Sequence, residues 1–360
     1  MENKEFLREL LDTPSPSGYE RLGGIEVFKK FCRGINRAVE KFTDTMGNCA
    51  FYVGPENPET TIMISGHIDE IGLQVSMITE EGMLNVVSLG GIDKKCLLGQ
   101  EVEVISSSGK IIPGIIGKKP IHIEYGEDDY YDRSLIKIKD VLVDIGECDK
   151  KSVESLVHIG DPIVIKRNSN LEFGSSGNRI MSKGLDDKIG VYITALVLKK
   201  LSENRDNLIL GNCGVWCVAN TQEEVGLRGA MRSAKIINPK YSIDIDVTFS
   251  TDEGRGIEKE IYGDIKLGNG PVIMHGPDKS VMLNRIIRDV CEDNKIPYQE
   301  SVSGAGGTNT AAIQEFSYDT ETTHIGIPLR NMHTPVEICS WNDVDSSIDL
   351  IYSTIKKLYE

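Results

Sequence analysis

The chain has 360 residues, of which 39% are hydrophobic and 26% are charged, so it can build a large core and is unlike a disordered protein. Its formal net charge of −15 argues against nucleic acid as a main partner, and the lack of any run of about 18 apolar residues excludes a membrane-spanning helix. The charged N-terminus without a signal core, and eight cysteines without a C-x-x-C pair, favour a cytoplasmic, reducing location.

The first half of the chain is predicted to contain two helices, a buried strand and then an all-β region. A helix over about residues 4–11 ends at the breaker sequence DTPSPSGYE, and a second helix follows. The stretch TIMISGHIDEIGLQV predicts a buried strand, a loop and another strand. From about Leu73 to Ile165, short β-branched runs recur between glycines, which predicts a small barrel or sandwich.

Helices and strands alternate again after Gly184. The predicted helices cover IGVYITALVLKKL, SVMLNRIIRDVCEDN and the closing SSIDLIYSTIKKLYE, and the predicted strands cover LILGNCGVWCVANT, YSIDIDVTFS and HIGIP. Such alternation is typical of an α/β sheet with helices on both faces. The sequence therefore predicts one α/β domain interrupted by a β insert.

Acidic residues and histidines stand at the ends of apolar runs, where α/β domains usually place their sites. They are His67 and Asp69, Asp186 and Asp187, Glu223 and Glu224, Asp244 and Asp246, and His333 and Glu337. Each pair alone has an ordinary structural explanation. Aspartates before a helix usually cap it, a single histidine is more often structural than a ligand, and glutamates at a strand end are often surface residues.

Taken together, these residues match the donor set of a centre with two divalent ions. Such a centre needs a shared carboxylate, one further carboxylate and one histidine for each ion, and a base near the bridging water. Mixed nitrogen and oxygen donors suit zinc, cobalt or manganese. One carboxylate is left over, which is enough to orient a histidine.

Six stretches carry a resemblance to a known family: GHIDEIGLQV, GLDDKIGVYI, QEEVGLRGA, IDVT, GGTNTAAIQ and HTPVE. In order and spacing they resemble the tetrahedral metallo-aminopeptidases of the glutamyl-aminopeptidase-like family, some members of which have been labelled cellulases or endoglucanases. The insert resembles this family too, in GGIDKKCLLGQEVEV, GIIGKKPIH and VDIGECDKKSVESLVHIGDPIVI. The resemblance therefore covers nearly the whole chain.

The resemblance implies an architecture for the chain. It consists of an α/β catalytic domain, residues 1–72 and 166–360, whose mixed sheet is flanked by helices. The inserted small all-β domain, residues 73–165, is expected to resemble a β-barrel and to make dimer contacts. Homodimers of this kind would build a hollow tetrahedral dodecamer that admits only small or unfolded peptides.

The resemblance also implies a role for each candidate site residue. Two divalent ions, Zn²⁺ or Co²⁺, would be held by His67 and Asp246 on one side, by Glu224 and His333 on the other, and by Asp186 between them. Glu223 resembles the general base, and Asp69 the carboxylate that fixes the tautomer of His67. The peptide bond between Asp186 and Asp187 is expected to be cis.

Two positions depart from the family's usual pattern. The family commonly has an aspartate at the position of Asn309 and an aromatic residue at the position of Asn331. Neither is an expected metal ligand, so the departures bear on substrate preference and rate rather than on the metal centre.

The function implied is that of a di-metal aminopeptidase, which hydrolyses N-terminal residues from peptides through a metal-bridged water. One alternative is endo-1,4-glucanase activity, although glycosidases use two carboxylates flanking the sugar bond and need no metal pair. A related amide deacylase would use the same water chemistry. A non-catalytic assembly protein would be expected to lack a ligand or the base, and the sequence contains them all.

Overall fold

A computed structural model describes residues 1–118, 120, 122, 136–254, 256–304 and 307–360, so that part of the predicted insert lies outside the described residues. The helices in these ranges are α1 (Asn3–Asp12), α2 (Gly24–Arg33), α3 (Lys150–Glu154), α4 (Leu185–Glu203), α5 (Arg205–Leu210), α6 (Arg228–Ile237), α7 (Lys259–Tyr262), α8 (Val281–Asn294), α9 (Asn309–Phe316) and α10 (Trp341–Tyr359). None of these helices is both long and apolar enough to cross a membrane.

The strands fall into one long sheet, one closed barrel and one small sheet. They are β1 (Val39–Thr43), β2 (Cys49–Val53), β3 (Thr60–His67), β4 (Gly72–Ile78), β5 (Leu84–Leu89), β6 (Glu101–Ile105), β7 (Ile111–Ile116), β8 (Leu142–Asp144), β9 (Pro162–Ile165), β10 (Asn170–Phe173), β11 (Arg179–Ser182), β12 (Cys213–Asn220), β13 (Tyr241–Phe249), β14 (Val272–His275), β15 (Gln299–Val302), β16 (Glu321–Leu329) and β17 (Glu337–Ser340).

The long sheet has eight strands in the order β1-β2-β12-β3-β13-β16-β14-β15. Its centre is parallel, because β12 and β13 both run alongside β3 and β16 runs alongside β13. β2 is antiparallel to β12, and β14 is antiparallel to β16, so the sheet is mixed. The buried, almost wholly apolar runs of the central strands are typical of strands covered on both faces.

Helices cover both faces of this sheet, as the alternation along β3 shows. Ile62 and Ile64 belong to the main core, which also contains residues of α1, α2, α4, α8 and α10. Met63 points to the other face, where it packs with Ala230 of α6 and Ile313 of α9. Successive side chains of a strand point to opposite faces, so one apolar strand serves two cores. The predicted fold class, a mixed α/β sheet with an inserted small β unit, is confirmed.

The inserted unit is a closed barrel with the strand order β4-β5-β8-β7-β6-β9. Its interior is a separate apolar cluster that includes Leu73, Val86, Val104 and Ile163. Closing the barrel leaves its main strands without unpaired edges. A barrel or sandwich was predicted for this region, and the structure contains the barrel.

The sequence-based prediction was wrong in the segment LILGNCGVWCVANT. Residues Arg205–Leu210 form helix α5, and strand β12 begins only at Cys213. Asn212 between them has a left-handed backbone with φ 47°. A short apolar run does not distinguish a helix from a strand, and here an asparagine marks the change of structure.

The three-stranded sheet β10-β11-β17 was not predicted. It places Ser182, just before α4, opposite Glu337 in the ladder of β11 and β17. This pairing brings the start of α4 close to the segment that follows His333. The peptide bond between Asp186 and Asp187, at the start of α4, is cis, as predicted.

Candidate metal centre

The parallel strands of the long sheet place the candidate ligands at one edge. His67 is the last residue of β3 and lies beside Asn220, the last residue of β12. β13 pairs with β3 so that Asp244 lies opposite Ser65, and two residues further along these strands are Asp246 and His67. The carboxyl ends of parallel strands meet at the same edge, which is where α/β folds bind ligands.

Loops and a helix start supply the other candidate ligands. Asp186 and Asp187 have non-helical backbone angles at the beginning of α4, Glu223 and Glu224 follow β12, and His333 lies between β16 and β17. Four non-glycine residues near these ligands have a left-handed backbone: Gln222, Leu227, Asn331 and His333. Such conformations are uncommon and cluster at functional sites.

The five predicted metal ligands form two groups that share Asp186. One contains His67, Asp186 and Asp246, the other Asp186, Glu224 and His333, and in each group one potential ligand atom per residue lies within 4.8 Å of the others. Asp186 offers one oxygen to each group, with Oδ1 3.1 Å from Nε2 of His67 and Oδ2 3.2 Å from Nε2 of His333. This is the arrangement required of a bridging carboxylate.

The remaining ligand atoms lie slightly further apart. Nε2 of His67 is 3.8 Å from Oδ1 of Asp246, and Nε2 of His333 is 3.5 Å from Oε1 of Glu224. The first group is buried, whereas Glu224 and His333 are partly exposed. The second group is therefore the more solvent-accessible of the two.

Both histidines turn Nε2 toward the carboxylates and Nδ1 toward a backbone carbonyl. Nδ1 of His67 is 3.1 Å from the carbonyl oxygen of Asp69, and Nδ1 of His333 is 3.0 Å from that of Gly91. A carbonyl oxygen only accepts hydrogen bonds, so each Nδ1 carries a proton, and each ring in its neutral form has its lone pair on Nε2. That tautomer is the one able to bind a metal through Nε2.

The predicted orienting residue Asp69 is buried and makes contacts on two sides. Its Oδ1 lies 3.4 Å from Nδ1 of His67. Oδ1 also accepts the backbone N–H of Glu223 at 3.0 Å, and Oδ2 accepts that of Glu224 at 3.2 Å. The hydroxyl of Ser17 donates to Oδ2 at 2.8 Å. Asp69 therefore contacts both His67 and the backbone that carries the two glutamates.

The predicted base Glu223 is directed at the first group, with Oε2 3.9 Å from Nε2 of His67. Burial, together with the carboxylates of Glu224, Asp186 and Asp69, raises its pKa to about 8. Burial and the neighbouring Asp186 also raise the pKa of Glu224 to about 7. Burial disfavours protonated His67, but the carboxylates led by Glu223 raise its pKa well above the ordinary value.

These shifts reflect an excess of negative charge in a buried space. Burial, with Asp187, raises the pKa of Asp246 well above its ordinary value. Burial also opposes the ionisation of Asp186, but the neighbouring His333 and His67 lower its pKa. Divalent cations would supply the positive charge that this cluster lacks. The donor types, the shared carboxylate and the free Nε2 atoms all fit a pair of such ions.

Two acidic residues that the sequence analysis grouped with the candidate ligands, Asp187 and Asp244, belong to neither ligand group. Asp187 Oδ2 accepts the backbone N–H of His67 at 3.0 Å, and its Oδ1 accepts that of Gly190 at 3.0 Å. Asp244 accepts the hydroxyl of Ser65 at 3.0 Å. Both carboxylates are fully buried and support the strands beneath the ligands.

Sequence reasoning assigned no role to Glu337, which connects the two halves of the centre. Its Oε1 accepts the backbone N–H of His333 at 2.9 Å, and its Oε2 accepts that of Asp186 at 3.3 Å. Its position four residues after a candidate ligand was the available signal. A carboxylate that binds backbone amides is not part of a recognisable sequence motif, so the spacing of Glu337 from His333 did not by itself indicate this role.

A buried charge cluster beside the ligands was also missed. Glu70 follows Asp69, and its carboxylate accepts Nζ of Lys183 at 2.5 Å and Nζ of Lys188 at 2.9 Å. Burial opposes ionisation, but the two lysines lower the pKa of Glu70 to about 2. The lysines flank the Asp186–Asp187 pair, so this cluster ties the start of α4 to the end of β3.

The two departures from the family pattern have different surroundings. Asn331 donates from Nδ2 to the carbonyl of Val336 at 3.0 Å, which closes the loop around His333. Asn309, the first residue of α9, is fully buried, and neither polar atom of its side chain has a hydrogen-bond partner among the residues that the structure describes. Neither residue belongs to the two ligand groups.

Comparison with known sequences agrees with this geometry. The sequence model of the M42 glutamyl aminopeptidase family matches residues 47–350, a stretch that contains every candidate ligand. The chain belongs to this family. Lysyl aminopeptidase of Pyrococcus furiosus is 28% identical over 359 residues, covering 98% of this chain and 97% of the relative. Glutamyl aminopeptidase of Lactococcus lactis is 29% identical over 356 residues, covering 95% and 93%.

Solved structures of M42-like peptidases have the same fold. A TET aminopeptidase from a marine sediment Thaumarchaeota archaeon superposes with a TM-score of 0.88 at 29% identity, covering 99% of this chain and 96% of that one. The TET1 peptidase of Pyrococcus horikoshii gives 0.82 at 30% identity, covering 98% of both chains. A Thermotoga maritima chain named endoglucanase gives 0.73 at 21% identity, with 98% and 99% covered, a likeness that concerns the fold alone. This M42 member is accordingly a metal-dependent aminopeptidase.

Proposed function

We propose that this M42 peptidase uses two divalent ions to remove N-terminal residues from peptides. The observation that carries the proposal is the shared carboxylate of Asp186, one oxygen of which faces each histidine. His67, Asp186 and Asp246 would hold one ion, and Asp186, Glu224 and His333 the other. Imidazole and carboxylate donors in this number suit Zn²⁺ or Co²⁺.

When bound, divalent ions would supply Lewis acidity, which polarises a carbonyl and lowers the pKa of a water molecule toward neutrality. Glu223 would take a proton from the attacking water and later give it to the leaving amine. Asp69 keeps its backbone in place and orients His67.

The partly exposed group of Glu224 and His333 is the end at which the free α-amino group of a peptide would bind. A cleft opens beside these two residues, and its walls include Ile71, Ile165 and Thr334. The carboxylates of Glu224 and Asp186 face it and would attract an ammonium group. Recognition of this group would limit cleavage to the ends of chains.

The barrel is proposed to make dimer contacts, and the dimers to assemble into a tetrahedral dodecamer. This follows the solved relatives, one of which is a dodecamer, while Pyrococcus horikoshii TET1 assembles into a tetrahedron or a large octahedral shell. The division into a catalytic domain of residues 1–72 and 166–360 and a dimerisation domain of residues 73–165 is part of the same proposal. Eight free cysteines, six of them buried, suit a cytoplasmic location.

Chelation tests the proposed function directly. Aminoacyl-p-nitroanilides with acidic, basic and aliphatic side chains are assayed before and after dialysis against a strong chelator, and again after addition of Zn²⁺ or Co²⁺. Activity should disappear with the metal and return with it. Carboxymethyl-cellulose serves as the second substrate and should not be hydrolysed in any state. Full peptidase activity in a verified metal-free sample would contradict the mechanism.

A further inference from the structure

The backbone N–H groups of the segment that carries the two glutamates are held by side chains. Strand β12 ends at Asn220, and the next four backbone N–H groups have side-chain acceptors. Thr221 donates to Oδ1 of Asn48 at 2.9 Å and Gln222 to Oε1 of Glu20 at 2.9 Å. The amides of Glu223 and Glu224 donate to Asp69, as described above.

Glu20 differs from the other acceptors in its position, because it lies in the breaker segment after α1 rather than next to a strand of the sheet. It lies in a short 3-10 turn, Glu20–Leu22, and is fully buried. The same oxygen that accepts the amide of Gln222 also accepts the amide of Gly18 at 2.9 Å. The side chain therefore joins the N-terminal segment to the residue that directly precedes the proposed base.

The residue that Glu20 holds has an unfavourable backbone conformation. Gln222 has φ 56°, a left-handed angle that a side chain with a Cβ adopts at a cost. If Gln222 relaxed to an ordinary φ, the direction of the chain into Glu223 would change. The 3.9 Å approach of Glu223 Oε2 to Nε2 of His67 depends on that direction.

We propose that Glu20 is a positioning residue for the general base Glu223, acting through the backbone of Gln222. It touches neither the ligand groups nor a substrate, so its effect is on the aim of Glu223 rather than on metal binding. Misplacement of a catalytic group by about 1 Å can lower a rate by a factor of about 100. This inference rests on the proposed function, because it assumes that Glu223 is the base.

The protonation of Glu20 guides the choice of variants. Burial, with the nearby Asp69, raises its pKa to about 7, and its second oxygen, Oε2, is buried without a hydrogen-bond partner in the described part of the chain. Glutamine would keep an acceptor oxygen of the same reach, whereas methionine fills a similar volume and accepts no such bond. The pair Glu20→Gln and Glu20→Met therefore separates the hydrogen bond from the packing.

The neighbour Tyr19 provides a matched control in the same segment. Its hydroxyl donates to the carbonyl of Gly160 at 2.7 Å and accepts a hydrogen bond from Nε2 of Gln74 at 2.5 Å. Gln74 lies in barrel strand β4, and Gly160 lies just before barrel strand β9. Tyr19→Phe removes these bonds without touching Gln222. The kcat of Tyr19→Phe therefore shows how much activity is lost when the segment is loosened but the bond between Glu20 and Gln222 is kept.

The experiment measures kcat, KM and the metal-to-subunit ratio of the metal-loaded full-length enzyme on one aminoacyl-p-nitroanilide. Glu20→Met is expected to lower kcat about 10- to 100-fold, with KM within about twofold and the metal ratio unchanged. Glu20→Gln and Tyr19→Phe should stay within about threefold of the wild-type kcat. Adding Gln222→Gly to Glu20→Met should recover much of the loss, because glycine adopts the left-handed angle without cost.

Several results would overturn the inference. They are a kcat of Glu20→Met within threefold of wild type, a loss of metal in step with activity, an equal loss in Tyr19→Phe, or no recovery with Gln222→Gly. If Glu20→Met does not fold, Glu20→Ala takes its place with the same criteria. Wild-type activity and its sensitivity to chelator are measured first, so a failure of the proposed function is recognised before any variant is compared.

Discussion

Glu223 and Glu224 are neighbours in the chain that face different sides of the metal centre. Glu223 Oε2 lies 3.9 Å from Nε2 of His67, and Glu224 Oε1 lies 3.5 Å from Nε2 of His333. Glu224 begins a turn in which the backbone N–H groups of Gly226 and Leu227 donate to the carbonyl of Glu223 at 2.9 Å, so one short stretch can present its two glutamates to two groups. The carboxylate of Asp69 accepts the backbone N–H groups of both glutamates and so holds their backbone in place.

Replacement of Glu223 by glutamine should therefore leave the metals bound and remove most of the activity. A general base contributes typically about 10²- to 10⁴-fold, and glutamine cannot take the proton of the attacking water. Elemental analysis should give the wild-type metal-to-subunit ratio, while kcat falls by that factor.

Glu224→Gln is the matched variant, and it should lower the metal-to-subunit ratio because it weakens one ligand. If Glu223→Gln lost the metal and Glu224→Gln did not, the two roles would be reversed. If neither variant changed kcat, the glutamates would be ordinary residues at a strand end.

Glu337 gives a second prediction at this scale. Its carboxylate accepts the amides of His333 and Asp186, one residue from each part of the centre. Partners of metal ligands are typically worth about 10- to 100-fold in metal affinity, so Glu337→Ala should weaken metal binding by that factor. Competition with a chromogenic chelator measures the affinity, and Glu337→Gln, which keeps one of the two acceptor oxygens, should weaken metal binding less than Glu337→Ala does. Equal affinities in Glu337→Ala and wild type would contradict the role.

The sequence predicted the residues whose side chains converge and missed those that act through the backbone. His67, Asp186, Asp246, Glu224 and His333 offer their own side chains as donors, so their types and order form a recognisable pattern. The carboxyl and amide groups that hold the glutamate segment are far away in sequence. No spacing rule connects a position near the N-terminus with an amide 200 residues later.

At the scale of elements, the buried cluster of Glu70, Lys183 and Lys188 joins three parts of the chain. Glu70 Oε1 accepts the backbone N–H of Ser15 at 2.9 Å, in the segment after α1. Lys188 also donates to the carbonyl of Thr13 at 2.9 Å. The corner between β3 and β4, the start of α4 and the segment after α1 therefore meet at one carboxylate.

Removing that carboxylate would leave two buried ammonium groups without their counter-charge. Breaking a buried ion pair costs typically about 3–5 kcal/mol, so Glu70→Ala should lower the free energy of unfolding by about this amount at pH 7. Urea denaturation followed by circular dichroism measures the change. Glu172, which pairs with Lys4 on the surface at 3.4 Å, is the control, and Glu172→Ala should cost less than about 1 kcal/mol.

The same cluster predicts a dependence of stability on pH. The pKa of Glu70 is lowered from 4.5 to about 2, so the folded state binds its proton more weakly than the unfolded state does. The stabilisation is complete above pH 4.5 and is lost as the pH falls toward 2. The difference in stability between wild type and Glu70→Ala should accordingly shrink across this range, and a difference that stayed constant would contradict the shift.

Elements with a long, consistent pattern were predicted correctly, whereas a short apolar run was not. The central strands β3 and β13 and the helices α4, α8 and α10 lie where the sequence placed them. The LIL run of α5 was read as a strand, because three apolar residues fit either structure. In the three-stranded sheet, β10 and β11 form a hairpin of two four-residue strands, whereas β17 is distant in sequence, and local patterns do not contain that second pairing.

At the scale of the whole molecule, the barrel takes part in the metal centre although it has its own core. The carbonyl of Gly91, in the segment after β5, fixes the tautomer of His333. A Cβ added at Gly91 would lie 3.1 Å from Nδ1 of that histidine, so the close approach favours glycine. Contacts of the barrel with other subunits would therefore act on a unit that touches the site.

The outer surface of the barrel provides the last prediction. Along β7, Ile111 and Ile115 point outward and are 52% and 51% exposed, and Leu142 on the neighbouring β8 is 39% exposed. Exposed apolar side chains on adjacent strands are typical of an interface between subunits. If the barrel makes the dimer contact, the double variant Ile111→Asp with Ile115→Asp should dissociate the assembly while the metal-to-subunit ratio stays near that of the wild type.

Sedimentation velocity measures the mass of the double variant against the wild type. Ile236→Asp is the control, because Ile236 is an equally exposed isoleucine, 50%, on helix α6 of the α/β part. It should leave the mass unchanged. A double variant that keeps the wild-type mass would show that this face of the barrel does not hold subunits together. Dissociation by Ile236→Asp alone would indicate that the contact between subunits lies in the α/β part.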